Sequence, residues 1–423
     1  MVASGVEKRV RIAVVGGELA GAILVRALMN CPNLDLQLYE AGAEFGEEDT
    51  AIEIGVAGEE ALQTIGSELL SVLENAGASS LKSTRMVISN TSTSISVDTE
   101  ISDLANDLPV HVVRKSSFID VLLEPVPSAN LHTHRSVISI HPSKNGGVHL
   151  HFQDGTASYA DAVVGADGFQ GYTRQHVLGS DYPALSAGRE YRALVPIEEA
   201  RKLLGAIGLT ENRQYTWMGK GWLVRLGTFD RDRTAFCIAS HIDEKPGVSH
   251  DLRQTNDRTF LEKAFKGWGN QVVKNTIISL LLQHPITPPF PLYHHTHPIA
   301  SYIKSRVCVV GEAANTGSHW DGSGPSQEIE DVLVLSALLA EIRESTELEA
   351  VFKSYDEARR PRRQAYSQAN VMIDAILFEK TGANIDPEQL REAFATTHAS
   401  EQNFEMEKYK LEALKLYNKI NNS

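Results

Sequence analysis

Apolar positions near the start of the chain change period twice. Val10 to Val15 is a near-continuous apolar run rich in β-branched residues, the pattern of a strand buried on both faces. After Gly16 and Gly17, the residues Leu19, Ile23, Leu24, Ala27 and Leu28 recur at helical spacing. LDLQLYE (34–40) returns to a strand pattern and ends on Glu40. Residues 80–105 are Ser/Thr-rich with strand-like alternation, and residues 110–126 predict a strand, Arg114, then a helix with Ser116 and Ser117 as candidate N-caps. SVISIHPS and GVHLHFQDG predict a hairpin around 144–147, and 159–179 a buried strand with a Gly-Ala-Asp-Gly turn. Three runs within 185–245 read as antiparallel strands, 257–283 as amphipathic, and HPITPPFPLY (284–293) as a proline-rich linker. Residues 306–342 repeat strand, glycine loop and helix, and from Ala350 the pattern is charged and helical.

Strand, glycine turn, helix, strand and acidic terminus make the dinucleotide-binding βαβ unit. In it the helix N-terminus faces a pyrophosphate and the acid accepts from a ribose hydroxyl. The G-x-G-x-x-G frame puts its glycines at Gly16, residue 18 and Gly21, but residue 18 is a glutamate. A carboxylate ~4 Å from each phosphate charge costs about 4 kcal/mol per pair at an effective dielectric near 20. Micromolar binding is worth only about 8 kcal/mol. Unless Glu18 swings away, the cradle binds a dinucleotide poorly. Two readings of Glu18 stand side by side: an exposed side chain favoured by the helix dipole, or a carboxylate that fills the former pyrophosphate site.

Composition narrows the partners. With 423 residues and 42% apolar content, two or three domains with full cores are expected. A net charge of −14 argues against nucleic acid, which needs clustered Lys and Arg. Cys31, Cys237 and Cys308 are scattered in apolar context, with neither disulfide nor metal spacing, and read as buried thiols. No hydrophobic signal core opens the chain and no uncharged run reaches the ~18 residues that span a bilayer. A cytoplasmic location follows as the expectation.

Three motifs in this order resemble the salicylate-hydroxylase-like, FAD-dependent aromatic hydroxylases over roughly residues 10–365. They are the βαβ unit with Glu40, GADGFQGYTR (165–174) and RVCVVGEAANTGSHWDGSGPSQEIED (306–331). The resemblance implies an α/β fold: an FAD/NAD(P)-binding Rossmann-like domain interleaved with a β-sheet substrate domain, plus C-terminal helices. The FAD-type domain would take 1–75, 111–184 and 291–345, the substrate domain 76–110 and 185–290, and the helical region 346–423. It also implies a cofactor site at Gly16, Gly17, Glu18, Gly21, Glu40, Arg114, Asp167, Glu312, Gly322 and Gly324. The departures fall on that site. The family's GDAAH reads Gly311-Glu312-Ala313-Ala314-Asn315, His319 replaces a proline, Ser326 a later glycine, and His294-His295 an Asp-Arg pair. Glu53 stands where the family has small residues lining the flavin.

These departures carry the leading expectation: an enzyme derived from flavin monooxygenases that has lost FAD and uses no cofactor. It would run cyclisation, isomerisation or elimination on a hydrophobic natural-product intermediate in the inter-domain cavity. His319, Asp321, Glu53 and Glu312 would handle protons, with Arg114 stabilising negative charge. Tyr215, Trp217, Trp222 and Trp320 are candidate substrate contacts. The alternative is an FAD- and NAD(P)H-dependent monooxygenase on an aromatic or polyketide-type substrate. A third reading is a non-catalytic ligand-binding protein. The last helical segment is left with two uses, docking on its own chain or a homodimer contact.

Overall fold

Strand β1 (Val10–Val15) divides its side chains between two apolar layers. Ile12 and Val14 pack with helices on one face, Ala13 and Val15 with a small antiparallel sheet on the other. Burial on both faces is what its unbroken apolar run encodes. The computed structural model describes residues 9–47, 50–88, 99–144, 146–179, 184–204, 213–219, 221–229, 231, 233–242, 258–266, 268, 270–295, 299–315, 322–377, 386–402 and 404–422.

After β1 come α1 (Leu19–Leu28), β2 (Leu34–Tyr39), β3 (Ala51–Ile54), α2 (Val56–Ile65), α3 (Glu68–Asn75), β4 (Ser79–Ile88), β5 (Thr99–Arg114) and α4 (Lys115–Leu123). The chain continues through β6 (Leu131–His132), β7 (Val137–Pro142), β8 (Val148–Phe152), β9 (Ala157–Ala160), β10 (Ala162–Gly165) and α5 (Tyr172–Leu178). Next are β11 (Ala184–Pro196), α6 (Ile197–Leu204), β12 (Arg213–Gly219), β13 (Trp222–Phe229), β14 (Thr234–Ile242), α7 (Arg258–Ala264), α8 (Gln271–Gln283) and β15 (Pro285–His295). It ends with β16 (Ile303–Lys304), β17 (Val307–Val309), α9 (Gly324–Glu341), α10 (Leu348–Leu377), α11 (Pro387–Gln402) and α12 (Met406–Asn421).

The first sheet runs β16-β17-β10-β1-β2-β6 and is parallel from β17 to β6. Helices that include α1, α9 and α10 cover one face, and β7-β8-β9 the other. The second sheet runs β15-β11-β14-β13-β12-β4-β5-β3, antiparallel except between β12 and β4. Helices α6, α7 and α8 seal one of its faces, where Tyr191, Val224 and Cys237 meet Leu261, Phe265 and Ile277. The two-residue period turns Glu190, Arg192 and Arg225 to the opposite face.

One expectation changes here. Segment 284–293 is no linker: from Pro285 onward it lies within β15, paired to β11 at the edge of the sheet. Its prolines lack an N–H, which an edge strand tolerates because only one side needs pairing. The last helix docks on its own chain: Met406, Ala413 and Tyr417 join the core around α9, and the Met406 N–H donates to Glu60 Oε1 at 3.2 Å. Of the cysteines, Cys237 and Cys308 are buried and Cys31 half-buried; burial pushes the Cys237 thiol up to about 12. No helix among the described residues is long and apolar enough to cross a membrane.

Arg359 locks α10 onto α9. Its Nε stands 2.7 Å from Asp331 Oδ1 and its Nη1 2.7 Å from Glu330 Oε2, all fully buried. Arg362 adds bonds of 2.6 and 2.8 Å to Glu330. Burial alone would raise the Glu330 carboxyl, but Arg359 and Arg362 hold it below its ordinary range. Arg359→Met leaves two buried carboxylates short of their shared cation and should cost about 3–5 kcal/mol, read from urea unfolding. A loss under about 1 kcal/mol would place the lock among weak surface-type pairs.

Candidate active site

Between the two sheets, at the carboxyl ends of β1 and β10, lies a cavity of about 1080 Å³. Open parallel sheets take their ligands at such ends. The turn after β1 is tight: Gly16 has φ +104°, and a Cβ there would collide with the Ala166 carbonyl, as one on Gly21 would with the Gly16 carbonyl. Glu40 ties the turn down, its carboxylate accepting the Gly17 and Gly42 N–H groups, each at 2.7 Å.

Glu18 occupies the N-cap position of α1 but makes no capping bond to the helix. Its Oε2 lies 2.6 Å from Lys115 Nζ, at the first residue of α4. The carboxylate is therefore drawn sideways and neutralised instead of folding back on the first-turn N–H groups.

Asp167 accepts the Thr173 N–H at 2.9 Å and the Thr173 hydroxyl, fastening the start of α5. Burial raises its carboxyl to about 6, against the pull of the Thr173 bonds. Glu53, buried on β3, accepts from Gln214 Nε2 at 2.7 Å and pairs with Arg225 Nη1 at 3.1 Å. It is seated on Gly322: a Cβ there would collide with the Glu53 carboxylate. Glu312, in the turn after β17, is exposed to the cavity, and Glu328 on α9 shares the same wall. Burial, then the charge of Glu312, pushes the Glu328 carboxyl up to about 8.

The predicted residues are brought together unequally. Gly16, Glu18, Glu40, Glu53, Asp167, Glu312, Gly322 and Gly324 line the cavity, with Gly17 and Gly21 behind them in the turn. Arg114 does not line it: its guanidinium lies over the Phe229 ring, 5.4 Å from the centroid, and Lys115 faces the cavity in its place. Tyr215, Trp217 and Trp222 pack in the layer under α7 and α8, on the face of the second sheet turned away from the cavity. His319, Trp320 and Asp321 lie outside the described residues. The cavity also has members that the sequence reading missed: Lys115, Arg225, Glu328, Arg363, and the Phe169–Tyr293 pair with ring centroids 4.0 Å apart. Polar residues alternating with apolar ones on β11 and β13 were the available signal for the sheet face.

The donor set at the β1 end fits a dinucleotide. The turn keeps its close approach, Glu40 is in place, and Glu18, the carboxylate that would oppose a pyrophosphate, is paired with Lys115.

Comparison with known proteins points the same way. No family model matches the chain. The 6-methylsalicylate 1-monooxygenase atA of Aspergillus terreus (strain NIH 2624 / FGSC A1156) is 28% identical over 367 residues, 84% of this chain and 80% of that protein. The FAD-dependent monooxygenase eupB of Phoma sp is 27% identical over 395 residues, covering 84% of this chain and 85% of that one. A salicylate hydroxylase solved with its substrate superposes with a TM-score of 0.76 at 19% identity, covering 96% of this chain and 98% of that one. The homologues of the chain are salicylate-hydroxylase-like FAD-dependent monooxygenases, and its α/β fold is theirs.

Two outcomes test the placement. Between about pH 4.3, the ordinary value for a glutamate, and pH 8, native Glu328 holds a proton that the unfolded chain has released. The native state then binds more protons, so stability contributed by this group falls as pH rises through that window. Glu328→Gln should flatten that slope and raise Tm at pH 8.5 by about 2–4 °C in calorimetry; an unchanged slope would exclude Glu328 as its source. Trp217→Ala should cost about 3–5 kcal/mol in unfolding while ligand affinity stays within about twofold, since the side chain packs away from the cavity.

Proposed function

We propose that the chain is an FAD- and NAD(P)H-dependent monooxygenase acting on an aromatic or polyketide-type small molecule in the cavity between the sheets. The observation that carries this reading is the Glu18–Lys115 pair, which removes the electrostatic objection to a pyrophosphate at the start of α1. The names of the relatives support it, one being a monooxygenase of 6-methylsalicylate and another FAD-dependent. The Gly16–Gly21 turn and Glu40 would hold the adenine-dinucleotide half, and FAD supplies the redox chemistry when bound. The Phe169–Tyr293 rings and Ile238 would give the substrate an apolar surface.

A second reading has its own observation. Glu53 is seated on Gly322, the glycine loop that meets flavin in the resembling family, and Glu312 and Glu328 add carboxylates to the same cavity. That set suits redox-neutral acid/base chemistry without FAD, in which Glu53, Glu312, His319 and Asp321 would move protons on a hydrophobic intermediate.

The absorption spectrum of purified protein, incubated with excess FAD and desalted, separates the two. Bands near about 450 nm that survive desalting, with NAD(P)H oxidation on adding a salicylate-type acid, are expected. A protein that stays colourless overturns the monooxygenase reading and leaves the redox-neutral one.

A further inference from the structure

Three arginines on α10 face the interior, and they divide their donors differently. Arg359 and Arg362 spend theirs on Glu330 and Asp331. Arg363 is only 1% exposed and yet lines the cavity. Its Nη2 donates to the Gly311 carbonyl at 3.0 Å and to the Asn315 carbonyl at 3.5 Å, and lies 3.4 Å from Asp331 Oδ2. Its Nε and Nη1 find no hydrogen-bond acceptor among the described residues.

A guanidinium holds five N–H donors and does not give up its charge. Burying charged donors without an acceptor costs more than burying neutral ones, and groups left so in native structures call for a specific explanation. Asp331 takes Arg359 Nε at 2.7 Å and the Gly311 N–H at 2.9 Å, and of the Arg363 donors it approaches Nη2. The carbonyls that Arg363 does hold belong to the turn after β17, at the same carboxyl ends of the parallel strands as the Gly16 turn. The Arg363 side chain therefore forms part of the cavity wall at the end where a ligand of this sheet sits.

We propose that Nε and Nη1 of Arg363 receive an anionic oxygen of the molecule bound in the cavity, either a phosphate of the dinucleotide or the carboxylate of an aromatic acid. Arginine suits both oxyanions, since each offers charge-assisted acceptors to its N–H groups. The proposal rests on the functional reading above only in that a small molecule occupies this cavity.

The test is binding by calorimetry to the full chain and to Arg363→Gln and Arg363→Lys. Three probes are used: FAD, ADP as phosphates without flavin, and salicylate as carboxylate without phosphate. Gln retains a donor for the Gly311 carbonyl, and Lys retains the charge, so melting curves read alongside report on folding separately. A fall of about tenfold or more in the affinity of ADP and FAD assigns the phosphate, and the same fall for salicylate alone assigns the carboxylate. Lys should recover part of what Gln loses, as a point charge without the planar donor set. If only the Lys variant folds, the same comparison is made with it alone. Unchanged affinities for every probe that the wild type binds overturn the role of Arg363 and leave the functional reading intact. Wild-type protein that binds none of the three overturns both.

Discussion

Asp331 is the point on which α9, α10 and the turn after β17 converge. Its fully buried carboxylate takes Arg359 Nε from α10 and the Gly311 N–H from the turn after β17, and it lies 3.4 Å from Arg363. One group thus fastens the helical lock to the loop that carries Glu312. A carboxylate in that position is tolerated only because several donors meet it at once; isolated, it would be costly to bury. The geometry of the cavity wall is therefore inherited from the packing of α9 against α10, elements distant from the cradle in sequence.

Local signals carried much of the fold. Val10 to Val15, the glycine turn, the helix from Leu19 and the strand ending on Glu40 depend on neighbours within the same segment, and their periods announce them. What depends on distant packing was not legible. Alternation on β12 and β13 separates two faces but does not say which one a cavity takes, so Tyr215, Trp217 and Trp222 looked like substrate contacts when the helices own them. The same limit moved attention to Arg114 when its neighbour Lys115 faces the cavity. Glu328 and Arg363 sit in helices of mixed polarity, where a charged residue ordinarily marks a solvated face. Only the tertiary arrangement turns them inward.

Several of the carboxylates around the cavity are matched to cations on other elements. Glu18 has Lys115, Glu53 has Arg225 and Gln214, and Glu190 has Arg192 and Ser240. Burial would raise the Glu190 carboxyl, but Arg192 and Arg225 hold it low. The motif position of Glu18 shows a carboxylate facing a pyrophosphate; the cation that meets it lies on another element, out of reach of any local reading. At these three acids a ligand would meet oriented charge pairs.

The proline-rich edge strand has a consequence for assembly. An open sheet edge offers a row of N–H and C=O groups on which another chain can add a strand. On β15 the residues Pro285, Pro288, Pro289 and Pro291 interrupt the donors, so this edge is a poor template for strand addition. At the other end of the sheet, β3 is only 4 residues long and buried throughout. Both edges of the larger sheet are thus poor templates, and it is protected from growing into a continuous one.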